Sequence, residues 1–114
     1  MAARAGAEGV HLTASHLMAL NARPDMPLVG ASCHDFRELH HAAALGLDFV
    51  VLGPVAETAS HPGTIPLGWS RFSELIADYP LPVFAIGGLR STDLEAAWQA
   101  GAHGIAAIRG CWTV

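Results

Sequence analysis

The chain contains no lysine. Its six basic residues are all arginines, at 4, 23, 37, 71, 90 and 109. Schiff-base chemistry is thereby excluded, as is any site built on a lysine ammonium. Charge of either sign is sparse, 14% of residues against about 25% in ordinary globular proteins. The net charge is -4 and the arginines are scattered, so no basic patch for nucleic acid is present. Two cysteines, Cys33 and Cys111, stand far apart without a C-x-x-C, which points to reduced thiols in a cytoplasmic protein. The opening M-A-A-R-A-G-A lacks the apolar stretch of a secretory signal. No apolar run approaches the roughly 20 residues of a membrane span.

What the chain has instead is hydrophobic residues, 52% of 114, enough for one core and too few residues for two. One phrase recurs: A5-G-A-E-G-V-H-L12 returns as A100-G-A-H-G-I-A-A107 and, more loosely, as L45-G-L-D-F-V-V-L52. Each reads as a helix end, a glycine stop and a strand, because glycine accepts the left-handed conformation that follows a helix. With the apolar runs near 28–32 and 82–87, strands are expected near 9–12, 28–32, 48–53, 82–87 and 104–108. Between them, Asp35 and Glu38 form a capping box ahead of F-R-E-L-H-H-A-A-A-L. Ser70 is placed to cap R-F-S-E-L-I-A-D-Y, and Thr92 with Glu95 to open D-L-E-A-A-W-Q-A. A shorter helix is expected over 14–21.

Strands that alternate with helices and are apolar on both faces predict a parallel sheet of (β/α) units. Two architectures fit: a five-stranded doubly wound sheet, or part of a (β/α)8 barrel. In both, the loops after the strand C-termini hold the site. Those loops carry His16, Cys33 and His34, the long segment Gly53–Gly68 with His61, the pair Gly87-Gly88, and Arg109-Gly110. Paired glycines after a strand let backbone N–H groups approach an anion, and Arg109-Gly110 follows the next strand. The histidines follow different strands and lack the i, i+4 spacing of a dedicated metal motif, so no metal site is assigned. His11 reads as a hydrogen-bonded core or mouth residue; His40, His41 and His103 read as solvated helix or turn residues.

The ordered segments G9-V-H-L12, G30-A-S-C-H34, D48-F-V-V-L-G-P-V55, T58-A-S-H-P62, P66-L-G68, V83-F-A-I-G-G88 and G104-I-A-A-I-R109 resemble thiamin phosphate synthase and its TenI-type tautomerase branch. The resemblance covers essentially the whole chain. It is similar above all to the synthase-like domain that some bacteria carry C-terminal to a Nudix hydrolase. It implies an incomplete TIM-type barrel, residues 1–114 supplying the last five of eight strands. It also implies partners: a preceding barrel segment, the Nudix domain, or a second copy in a homodimer.

The family's reaction joins a pyrimidine pyrophosphate to a thiazole phosphate with Mg2+. The resemblance puts Ser32, Thr58 and Ser60 on pyrophosphate and Gly87 and Gly88 on the thiazole phosphate, with Arg109, beside Gly110, replacing a usual serine on the same phosphate loop. His61 stands where the family has a pyrophosphate-neutralising lysine, and His16 where it has a Mg2+-binding aspartate. Mg2+ is therefore expected only if synthase activity is retained, because imidazole is a poor ligand for that ion. The expectation is a thiazole phosphate-binding domain without full synthase turnover. The alternatives are an isomerase using His34 as proton shuttle, or a structural domain beside a Nudix hydrolase.

Overall fold

A computed structural model describes residues 9–56, 65–87, 89 and 91–105. Five strands are seen: β1 (Gly9–Leu12), β2 (Leu28–Cys33), β3 (Phe49–Leu52), β4 (Val83–Ala85) and β5 (Gly104–Ile105). Between them run α1 (Ala14–Ala19), α2 (Phe36–Leu45), α3 (Gly68–Leu75) and α4 (Leu94–Gln99). All pairings are parallel and the strand order is β1-β2-β3-β4-β5.

That order decides between the two architectures. A doubly wound sheet reverses its order at a switch point and carries helices on both faces. Here the order never reverses, and the helices pack on one face only. Strand residues Val29, Ala31, Cys33, Val50, Leu52, Val83 and Ala85 share a single buried cluster with Leu17, Leu39, Ala42, Phe72 and Ala97 from the helices. The residues of opposite parity form a separate cluster, Phe49 and Val51 with Phe84 and Ile86 against them. This is barrel construction, left as an open sheet with β1 and β5 at its edges among the described residues.

Local chemistry explains the helix limits, with two corrections. Thr13 caps α1, its Oγ1 accepting from the His16 N–H at 3.2 Å. Asp35 caps α2 through the Glu38 N–H at 2.9 Å, and Gly46 at φ +75° ends it. The Ser70 cap is overturned: α3 begins two residues earlier, at Gly68, so Ser70 lies inside the helix. There the chain turns in from loop backbone, the Leu67 and Gly68 N–H groups donating to the Pro54 and Val55 carbonyls at 2.9 Å each. The Thr92–Glu95 box is overturned as well. A 3-10 turn, Ser91–Asp93, leads into a six-residue α4 with no side-chain cap.

Tertiary ties then brace the layer. Tyr79 donates its hydroxyl to the Leu39 carbonyl at 2.6 Å, joining the turn after α3 to α2. At the N-terminal end of the sheet, Arg23 donates to the carbonyls of Gly46, Met26 and Pro27 and to Asp48 Oδ2. Asp48 Oδ2 also accepts from the Val29 N–H at 2.6 Å, so one carboxylate links β2 to the segment entering β3.

Candidate functional site

The C-terminal ends of β1 and β2 bring the first pair together. Residues on a strand alternate between faces, so His11, Gly30, Ser32 and Phe49 share the face away from the helices. Gly30 has a reason beyond flexibility. A Cβ there would overlap the Phe49 ring, which lies across the glycine. The Phe49 ring stands 6.2 Å from that of His11 and makes an edge contact with Phe84 at 6.0 Å. His11 Nε2 meets Ser32 Oγ at 2.8 Å, and burial holds the imidazole below its ordinary pKa. The expected pyrophosphate serine is therefore already engaged with a neutral histidine, and His11 is the hydrogen-bonded mouth residue its surroundings in G-V-H-L suggested.

His34 follows β2, at the start of α2. Glu38 Oε1 accepts from its backbone N–H at 2.6 Å and lies 3.0 Å from its ring Nδ1. The His34 side chain is 54% exposed and that of Glu38 only 18%. Between Ser32 and His34 lies Cys33, a buried free thiol. Burial, together with the negative charges of Glu38 and Asp35, pushes its pKa up to about 12. Cys33 is thus a core residue and not a nucleophile.

The base of the long loop is the second half of the site. Val55 and Ala56 donate to the carbonyls of Ile86 and Gly87 at 3.0 Å each, continuing the β3–β4 pairing past the strand ends. With the Leu67 and Gly68 bonds to Pro54 and Val55, the chain leaves and re-enters the sheet at one point. Gly87 has φ +102°, and a Cβ on it would come within 2.5 Å of Pro54 Cα. Its place in I-G-G thus has a packing reason. Thr58, Ser60, His61, Gly88, Arg109 and Gly110 lie outside the described residues.

Two histidine readings are refined. His41 is half-buried and its Nε2 lies 2.9 Å from the Leu20 carbonyl at the end of α1, so it is an inter-helix tie and not a solvated residue. His40 is exposed and stacks on Phe36 at 5.9 Å. His103 is exposed, as expected of a turn residue. Sequence reasoning missed the Glu38–His34 contact, although their i, i+4 spacing was visible.

The sequence model of the family described as Thiamine monophosphate synthase matches residues 1–111. The chain belongs to this family. Thiamine-phosphate synthase from Methanoculleus marisnigri is 38% identical over 112 residues, covering 95% of this chain and 53% of that protein. The same-named protein of Gloeobacter violaceus is 38% identical over 112 residues, covering 96% of this chain and 33% of its own length. Among solved structures, the thiamine phosphate pyrophosphorylase of Pyrococcus furiosus superposes with a TM-score of 0.68 at 25% identity. That match covers 90% of this chain and 50% of the archaeal one. The chain therefore spans about half the length, or less, of these thiamine-phosphate synthases.

As a thiamine-phosphate synthase-like domain, it departs from what Mg2+ requires. Among the described mouth residues, Thr13, Ser15, His16, Ser32 and His34 offer hydroxyl and imidazole groups, Thr13 Oγ1 already serves as the α1 cap, and the nearby carboxylates of Asp35 and Glu38 are engaged as the α2 cap and on His34. A hard cation wants several carboxylate oxygens turned to it, so this donor set does not fit it. No helix among the described residues is long and apolar enough to cross a membrane.

Proposed function

We propose that this thiamine-phosphate synthase-like domain binds a phosphorylated thiazole at the C-terminal end of its sheet, without full synthase turnover. The observation that carries the reading is the mouth's chemistry. Its described groups, hydroxyls, imidazoles and the Glu38 carboxylate, include no fixed cation, burial lowers the His11 pKa, and the whole chain has no lysine. Such a mouth suits one phosphate better than the departure of a pyrophosphate, whose developing charge needs fixed cations. The phosphate would rest on Gly87 and Gly88 with Arg109-Gly110, and the thiazole ring on the apolar face of Phe49, Phe84 and Ile86. Ser32, Thr58, Ser60 and His61 would form the remnant pyrophosphate loop.

Titration calorimetry with the thiazole phosphate tests the first half. A coupling assay with pyrimidine pyrophosphate and Mg2+ tests the second. Saturable binding with no thiamin phosphate formed is expected. Robust product formation would refute the loss of turnover, and failure to bind any phosphorylated thiazole would leave a structural role beside a fused domain such as a Nudix hydrolase. A second reading, isomerisation by His34, is favoured by one observation, the carboxylate held against that imidazole.

The open edges of β1 and β5 call for cover, from a preceding barrel segment, a fused domain or a second copy. Light scattering on the protein with and without such a segment distinguishes these. A stable monomer whose β1 and β5 edges stay unpaired would sink all three.

A further inference from the structure

We propose that Glu38 is a positioning residue for His34, holding the ring proton on Nδ1 and leaving the Nε2 lone pair for a ligand at the mouth. The starting point is a departure from an ordinary capping box. There the glutamate at the third helical position returns to the backbone N–H of the cap residue itself. Asp35 keeps its half of that arrangement, accepting from the Glu38 N–H at 2.9 Å. Glu38 instead reaches one residue further, to His34, and places Oε1 2.6 Å from the backbone nitrogen and 3.0 Å from ring Nδ1. One oxygen bound to both the main chain and the ring of one residue restrains the ring's rotation as well as its place.

An ionised carboxylate can only accept a hydrogen bond. The proton of a neutral His34 ring must then sit on Nδ1, which makes Nε2 the basic atom. The Glu38 side chain is mostly covered while that of His34 is 54% exposed, so the holding residue is sheltered and the working residue open. Cys33, the neighbour that could compete for a proton, is locked in its thiol form by burial. His34 also stands just past the C-terminal end of β2, at the rim where barrel chemistry is done.

The catalytic consequence rests on the isomerase reading given above. Nε2 takes a proton from an acidic carbon of the ring substrate, and the C–H bonding pair moves into the conjugated system. The resulting imidazolium returns that proton at the other end of the conjugated system. Nothing is oxidised or reduced, and the base is regenerated.

Two measurements test the proposal. Nitrogen-15 NMR of the imidazole reports which ring nitrogen carries hydrogen. In the unaltered protein the neutral His34 ring should be the Nδ1–H form. Glu38→Gln, whose amide oxygen still accepts, should keep that form, and Glu38→Ala should lose it. A proton found on Nε2 in the unaltered protein, or a tautomer unchanged in Glu38→Ala, overturns the proposal. In an assay of thiazole phosphate isomerisation, Glu38→Ala should lower kcat about tenfold with KM nearly unchanged. Combined with His34→Gln it should cost nothing more than His34→Gln alone, because the two residues act through one atom. Additive losses would show Glu38 acting by another route. If the unaltered protein isomerises no thiazole phosphate, the isomerase reading fails, and the tautomer measurement still judges Glu38.

Discussion

Asp48→Asn perturbs a polar tie that joins Arg23, β2 and the segment entering β3. Asp48 Oδ2 receives Arg23 at 2.8 Å and the Val29 N–H at 2.6 Å. An asparagine can keep the Val29 bond through its oxygen but no longer neutralises Arg23. Hydrogen bonds to charged groups contribute about 1.5–3 kcal/mol each when well shielded. Arg23 and Asp48 are 28% and 36% exposed, so screening by solvent discounts the lost charge interaction to about 1–2 kcal/mol. For a domain of this size that is a fall in Tm of about 4–8 °C.

The pH dependence has a definite sign. The Arg23 hydrogen bond, the Val29 N–H and the positive charge of Arg23 together depress the Asp48 pKa, against a smaller opposing effect of burial. A carboxylate whose folded pKa is depressed stabilises the fold above its unfolded value of about 3.9, and that contribution is lost as pH falls through the folded value. Urea unfolding of the two proteins from pH 7 down to pH 3 should therefore show a gap that is full at neutrality and closes in acid. Equal stability at pH 7, or a gap independent of pH, would refute the reasoning.

Gly30→Ala would drive a methyl into the Phe49 ring, and such overpacking costs about 1–3 kcal/mol. Thermal melting should show the loss and Phe49→Leu in the same chain should restore part of it; a melting point unmoved by Gly30→Ala would mean that the ring does not lie on the glycine. Tyr79→Phe removes the 2.6 Å bond to the Leu39 carbonyl and should cost about 1 kcal/mol in urea titration, with the slope unchanged. No loss would show that the hydroxyl exchanges its partner for water at no cost.

Much of the architecture was legible in the residues because it is dictated locally. The repeated phrase marks strand starts at Gly9 and Gly104 and helix ends at Gly46 and Gly101, since only a few residues from each glycine decide the turn. All five expected strands are seen, and α2 keeps its Asp35 cap and its Gly46 stop because both interactions reach no further than four residues. The cap at Ser70 failed for a tertiary reason. The path into α3 is set by bonds from Leu67 and Gly68 to Pro54 and Val55, which override a serine's local preference.

At the site the division is sharper. The expectation of a site at the strand C-termini came from the alternation of elements alone, and the family was readable from the order of its motifs. Which side chains meet was not. The His11–Ser32 bond joins residues 21 positions apart and exists only because β1 pairs with β2 in one register. The packing of Gly87 on Pro54 depends on the β3–β4 neighbourhood in the same way. Even the choice between a doubly wound sheet and a barrel waited on strand order and on which face the helices cover. Hydrophobic periodicity reports that a face is buried, but it carries no record of what buries it, and that partner is fixed only when distant segments pack.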